Sequence, residues 1–191
     1  MSKGEILTFD RGAGIMYANR KYAYGILVLM LVSSVVGFYY PQIFENAEND
    51  LIKQLVEITS GKSFLELAFI IILNNLRACF VGIMLGLLFC VIPIGATIMN
   101  GYFLGAVMSV IWKTKGANSL LYVIPHGVFE IPALAISFGL GVKLGLWFRQ
   151  KKKWDYVKSN FRSSMLVYFY IIVPLIVIAG IIESSLIHFF K

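Results

Sequence analysis

Between Ala78 and Trp112 the chain has 35 residues without a charged side chain. About 20 apolar residues suffice to cross the hydrocarbon core of a bilayer once, so this run belongs to membrane crossings. Apolar segments of similar character recur on both sides of it. Together they predict five transmembrane helices, over 22–40, 64–91, 94–112, 118–148 and 165–190, in an all-α polytopic bundle. Residues 1–21 form a mixed leader, and residues 22–191 form a single transmembrane domain.

Local signals place the ends of these segments. The first crossing carries Tyr22, Tyr24, Tyr39 and Tyr40 at its ends, as an aromatic belt does, and Pro41 stops it. Ser63-Phe64-Leu65-Glu66 reads as a capping box directly before an apolar run, which gives Glu66 a structural role at the start of the second helix. Pro93 marks the expected turn between the second and third helices. Asn100-Gly101 offers an alternative turn, which would leave Gly101 to Trp112 too short to span. Asn118 or Ser119 caps the fourth helix, which Pro125 and Pro132 interrupt, so that neighbouring groups must satisfy the freed carbonyls. Pro174 kinks the fifth, toward whose end lie Glu183 and His188. Within 42–62, Leu51, Ile52, Leu55, Val56 and Thr59 mark one face of a short amphipathic helix lying in the interface, with Gly61 as its stop. In the leader, Ile6, Leu7, Phe9, Ile15, Met16 and Tyr17 are expected to rest on the membrane surface.

Composition agrees. The 191 residues are 59% hydrophobic and 14% charged, against about 45–50% and about 25% for a soluble domain. The net charge of +7 follows the loops. Lys3, Arg11, Arg20 and Lys21 precede the first crossing, and Arg149, Lys151, Lys152, Lys153, Lys158 and Arg162 lie in the expected last loop. Both regions should be cytoplasmic. They must then be separated by an even number of crossings, and four separate them. The acidic segment with Glu45, Glu48, Asp50 and Glu57 falls outside, as does the C-terminus of this cell-membrane protein. No nucleic-acid module accompanies the basic residues, so nucleic acid is not an expected partner. A cleaved signal peptide is not expected either, because Phe38-Tyr39-Tyr40-Pro41 lacks the small residues of a cleavage site. Cys79 and Cys90 are eleven positions apart, about three helical turns. That is too far for a disulfide, and they read as small packing residues.

Two sets of residues stand out. Gly82 with Gly86, Gly101 with Gly105, and Gly141 with Gly145 each form a G-x-x-x-G, the spacing that lets helices approach closely in lipid. Asn74, Asn75, Arg77, Asn100, His126 and Glu130 form a polar set inside apolar helices, where an ionisable group costs about 2.5–3.5 kcal/mol on insertion scales. His126 and Glu130, four apart, share a helix face. With the second helix starting near Leu65 and the fourth near Asn118, Arg77 and Glu130 both lie twelve residues in, about 18 Å deep. That predicts an Arg77–Glu130 ion pair supported by His126, Asn74 and Asn75. A second helix starting at Leu76 would undo it.

The run Ile72-Leu73-Asn74-Asn75-Leu76-Arg77, then Gly82 and Gly86, Asn100-Gly101 with Leu104-Gly105, and Pro125-His126-Gly127 followed by Glu130 and Pro132, resembles the stage II sporulation protein M family over residues 64–148. The resemblance implies an integral membrane protein. The sporulation member acts in engulfment with two membrane-associated partners that supply cell-wall cleavage, and many relatives occur in organisms that form no spores. It implies no catalytic role for His126 or Glu130.

The leading expectation is therefore a non-enzymatic membrane subunit that anchors or recruits partners. Those partners are the lipid bilayer, other membrane proteins and further copies of the chain through exposed G-x-x-x-G faces. The alternative is a small transporter or channel using the Arg, His and Glu cluster, with the interrupted fourth helix lining its cavity. An intramembrane hydrolase is the third class. His126-x-x-x-Glu130 is not H-E-x-x-H, His188 is at the far end of the chain, and three ligands for a catalytic zinc are hard to assemble. No G-x-S-x-G elbow or glycine-rich phosphate loop is present. No catalytic, metal-binding or cofactor-binding residue is expected.

Overall fold

A computed structural model of the chain describes residues 3–44, 61–116, 118 and 124–189. The described residues are helical throughout apart from short turns. The helices are α1 (Lys3–Ala18), α2 (Arg20–Tyr39), α3 (Phe64–Leu85), α4 (Val91–Lys115), α5 (Ile124–Gly145), α6 (Lys153–Val167) and α7 (Val173–Phe189). Short 3-10 turns extend α3 over Gly86–Leu88 and α5 over Leu146–Arg149, and a π-helical turn, Tyr168–Ile172, joins α6 to α7. Five stretches are long and apolar enough to cross a membrane: Arg20–Tyr39, Phe64–Leu88, Val91–Lys115, Ile124–Arg149 and Lys153–His188. The interfacial helix expected within 42–62 lies mostly outside the described residues.

The capping box forms as read. The Glu66 backbone N–H donates to Ser63 Oγ at 3.4 Å, and the Ser63 N–H donates back to a Glu66 carboxylate oxygen at 2.9 Å. At the other end of α3 the chain turns at Phe89 and Cys90, before Pro93. Phe89 takes φ 65° and ψ 164°, a region that costs a non-glycine residue about 1–3 kcal/mol. Its ring stacks on Trp147, 6.0 Å between centroids, and the Trp147 indole N–H donates to the Leu87 carbonyl at 3.0 Å. Pro93 stands in the first turn of α4, where a missing N–H leaves no bond unmade. The chain does not turn at Asn100 either. Asn100 Nδ2 donates to the Ala96 carbonyl of its own helix at 2.8 Å, and α4 continues to Lys115.

Of the prolines of α5, only Pro132 interrupts the hydrogen-bond ladder, and neither breaks the helix. Pro125 falls in the first turn, and Pro132 removes one interior donor while the helix runs on to Gly145. Before Pro174 the chain adopts the π turn, the kind of local adjustment that accommodates a missing donor. The basic segment expected to be a loop is largely helix. Lys153, Lys158 and Arg162 sit on α6, and only Gln150, Lys151 and Lys152 link it to α5. The 36-residue stretch Lys153–His188 is about 54 Å long, well beyond a core of about 30 Å, so its charged first turns project from the membrane. There α1 packs beside it: Gly12 approaches the Leu166 carbonyl and Tyr170. Ile15 and Met16 are partly buried and pack against the protein core.

The bundle is organised around α5, in which 56% of the apolar stretch is buried, against 22% in α2. α2 and α4 pack on one another and on α5, and α3 and α7 pack on α5 from another side. Glycines set these contacts. A side chain at Gly86 would run into the backbone of Gly141, one at Gly141 into Gly82, and one at Gly145 into Gly86 and Cys90. Two of the three G-x-x-x-G pairs thus meet each other across α3 and α5. The third pair, Gly101 and Gly105, meets Met30, Ser33 and Ser34 of α2. The Tyr102 hydroxyl ties the same seam at one end, 2.9 Å from the Tyr40 carbonyl and 2.7 Å from that of Pro41.

Candidate functional site

Where α3 and α5 meet through glycine the bundle is closed, but between α4, α5 and α7 it holds a cavity of about 1000 Å³. One face of α4 supplies an apolar wall that includes Phe103, Leu104, Val107 and Ile111. Asn100 and Lys115, fifteen residues apart on that helix, also line the cavity. The cavity therefore extends along α4 for about 22 Å.

Three ionisable side chains meet at this cavity. The i, i+4 spacing of His126 and Glu130 on α5 brings both to its lining, and Glu183 enters from α7. One potential ligand atom from each lies within 4.8 Å of the other two, and all three side chains are half-buried. The Nδ1 atom of His126 is buried and has no hydrogen-bond partner among the described residues. Two carboxylates this close favour a cation or a proton between them. The imidazole beside them can donate or accept.

The expected ion pair is not formed. Arg77 is exposed on α3, as is Asn74, and Asn75 is half-buried. None of the three lines the cavity. Among the described residues no ion pair joins Arg77 to Glu130. Equal counts from the two helix starts do not give equal depth, because the glycine seam fixes the register. The Ser137 hydroxyl donates to the Cys79 carbonyl, and Gly141 lies against Gly82. From that last contact Arg77 is five residues back, about 8 Å, and Glu130 eleven back, about 16 Å. Glu130 is thus level with the region of Ile72, which packs on Gly180 of α7, three residues before Glu183. Asn100, His126 and Glu130 all line the same cavity, and His126 and Glu130 lie close together there. Glu183 joins them unforeseen. Its only sequence signal is an acid within an otherwise apolar final helix, and nothing local states which way it faces. His188 belongs elsewhere, its ring 6.2 Å from that of Phe64 at the start of α3.

Hydroxyl groups in the bundle have structural uses. Ser33, Thr97 and Ser184 each donate to the carbonyl four residues earlier, at 2.8, 2.7 and 2.6 Å. Cys79 is buried and Cys90 partly so, and both are free thiols.

Residues 26–186 match the family described as Stage II sporulation protein M. The chain is also 30% identical over 174 residues to "Uncharacterized protein MJ0706" of Methanocaldococcus jannaschii, an alignment covering 84% of this chain and 74% of that protein. No solved structure matches significantly.

Proposed function

Because the chain belongs to the stage II sporulation protein M family, as a multi-pass membrane protein, we propose that it is a non-enzymatic subunit that anchors or recruits other membrane proteins. The observation that carries this reading is a family match reaching from the first crossing to the last. In this reading the protein sits in the cell membrane with the leader and the basic α6 in the cytoplasm and the C-terminus outside. The packing of α1 beside α6 supports placing those two on one side. A role in envelope remodelling, as in the sporulation member, is one setting for such a subunit, and further copies of the chain are among its partners.

The test is in-cell crosslinking followed by reciprocal purification of the tagged full-length chain from its native membranes. A discrete membrane protein recovered at fixed stoichiometry in both directions is expected. Recovery of the chain alone, under crosslinking that captures a known neighbouring complex, would overturn the reading.

A second reading, a conduit for a small solute or ion, would use the cavity bearing His126, Glu130 and Glu183. Here the purified chain in proteoliposomes should support flux that Glu130→Gln abolishes. No flux across a panel of protons, metal cations and small anions would remove it.

A further inference from the structure

Beyond both readings, we propose that His126, Glu130 and Glu183 bind one divalent first-row transition-metal ion, bridging α5 to α7 across the cavity. Two observations converge on this. His126 and Glu130 stand one turn apart on α5, and Glu183 comes from α7, with a ligand atom of each within 4.8 Å of the others. Bonds of about 2.0–2.2 Å in a tetrahedral site place ligand atoms about 3.4 Å apart, so closure needs movement of about an ångström, within reach of side-chain rotation. The buried Nδ1 of His126 has no partner among the described residues.

Charge points the same way. A divalent cation neutralises two carboxylates within a membrane-spanning bundle, where an uncompensated pair would be costly. The expected counter-ion, Arg77, lies on another level and does not line this cavity, whose lining includes the cation Lys115 of α4. One imidazole and two carboxylates form a mixed nitrogen and oxygen set. That set suits zinc, manganese or iron(II), whereas calcium and magnesium prefer oxygen alone and copper(I) prefers sulfur. Three protein ligands would leave a fourth coordination position open, the arrangement of metal sites that exchange water or bind solute. The sequence hides the site because its third ligand lies on the last helix, far from the H-x-x-x-E pair.

The test uses the full-length protein in detergent with its affinity tag removed, stripped by chelator and re-equilibrated with micromolar zinc. Elemental analysis should return one zinc per chain. His126→Ala, Glu130→Gln and Glu183→Gln should each weaken zinc binding at least about 100-fold, since losing even an outer-shell partner costs 10–100-fold. Glu66→Gln, in the capping box outside the cavity, should bind as the unsubstituted protein does. Glu183→His, which exchanges one ligand for another, should keep zinc within about tenfold and guards against loss of binding through misfolding. Cobalt(II) loaded in place of zinc should give visible d–d bands that His126→Ala abolishes. A monodisperse unsubstituted protein that retains no zinc would overturn the proposal. So would zinc retained unchanged by Glu183→Gln, or zinc lost on Cys90→Ser but not on substitution of the three ligands.

Discussion

The two sides of α5 use the same helix in opposite ways. Toward α3, its lower half is a seam of Ser137, Phe138, Gly141 and Gly145, with backbone against backbone and no room for a methyl group. Toward α4 and α7, its upper half opens onto a cavity of about 1000 Å³ and carries ionisable groups. The seam is what a bundle needs to hold together in lipid, where close contact replaces the hydrophobic effect. The cavity is what a bundle built only for stability would avoid, because voids and polar groups both cost free energy. On the proposal made above, one side of α5 serves stability and the other serves function.

The hardest test of that division is to fill the seam. Gly86→Leu places a side chain into the Gly141 backbone. It should cost about 3 kcal/mol or prevent folding altogether, read as a fall in the thermal midpoint of the purified protein or its loss from the monodisperse fraction. A tolerated leucine would show that the helices do not meet there. Next in size, Ser137→Ala removes the donor to the Cys79 carbonyl and should destabilise by about 1 kcal/mol. No measurable loss would mean that this contact adds nothing to the seam. The smallest effect should come from the cavity. In metal-free protein, Glu130→Leu with Glu183→Leu should change stability by less than about 1 kcal/mol or raise it, since apolar replacements of buried charges are often neutral or stabilising. A large loss would place the polar cluster among the structural elements and erase the distinction.

Much of this architecture is legible in the sequence because hydropathy, caps and stops are local. The uncharged run, the Pro41 stop and the Ser63–Glu66 capping box each report on residues within a turn or two. Pro93 misleads because proline suits a helix start as readily as it ends one, and only the chain's turn at Phe89 distinguishes the cases. The G-x-x-x-G spacing announces close approach without naming the partner. Gly101 and Gly105 meet α2, while Gly82 and Gly86 meet Gly141 and Gly145. The site is half legible. His126 and Glu130 share a face by helical period alone, but Glu183 reaches them through the rotation and register of α7. Those are set by contacts such as Ile72 on Gly180 and the Tyr168 hydroxyl on the Leu76 carbonyl, 3.0 Å long. The same register, invisible when residues are counted from helix starts, separates Arg77 from Glu130.

The division between a dry seam and an open cavity is measured most directly by water-phase accessibility. In a background with Cys79 and Cys90 replaced by serine or alanine, single substitutions Val107→Cys in the cavity wall and Ala133→Cys in the fully buried core would be exposed to a small charged maleimide in reconstituted vesicles. Val107→Cys should label readily and Ala133→Cys should not label until the protein is denatured. Equal protection at both positions would contradict an open cavity, and equal labelling at both would contradict a closed core.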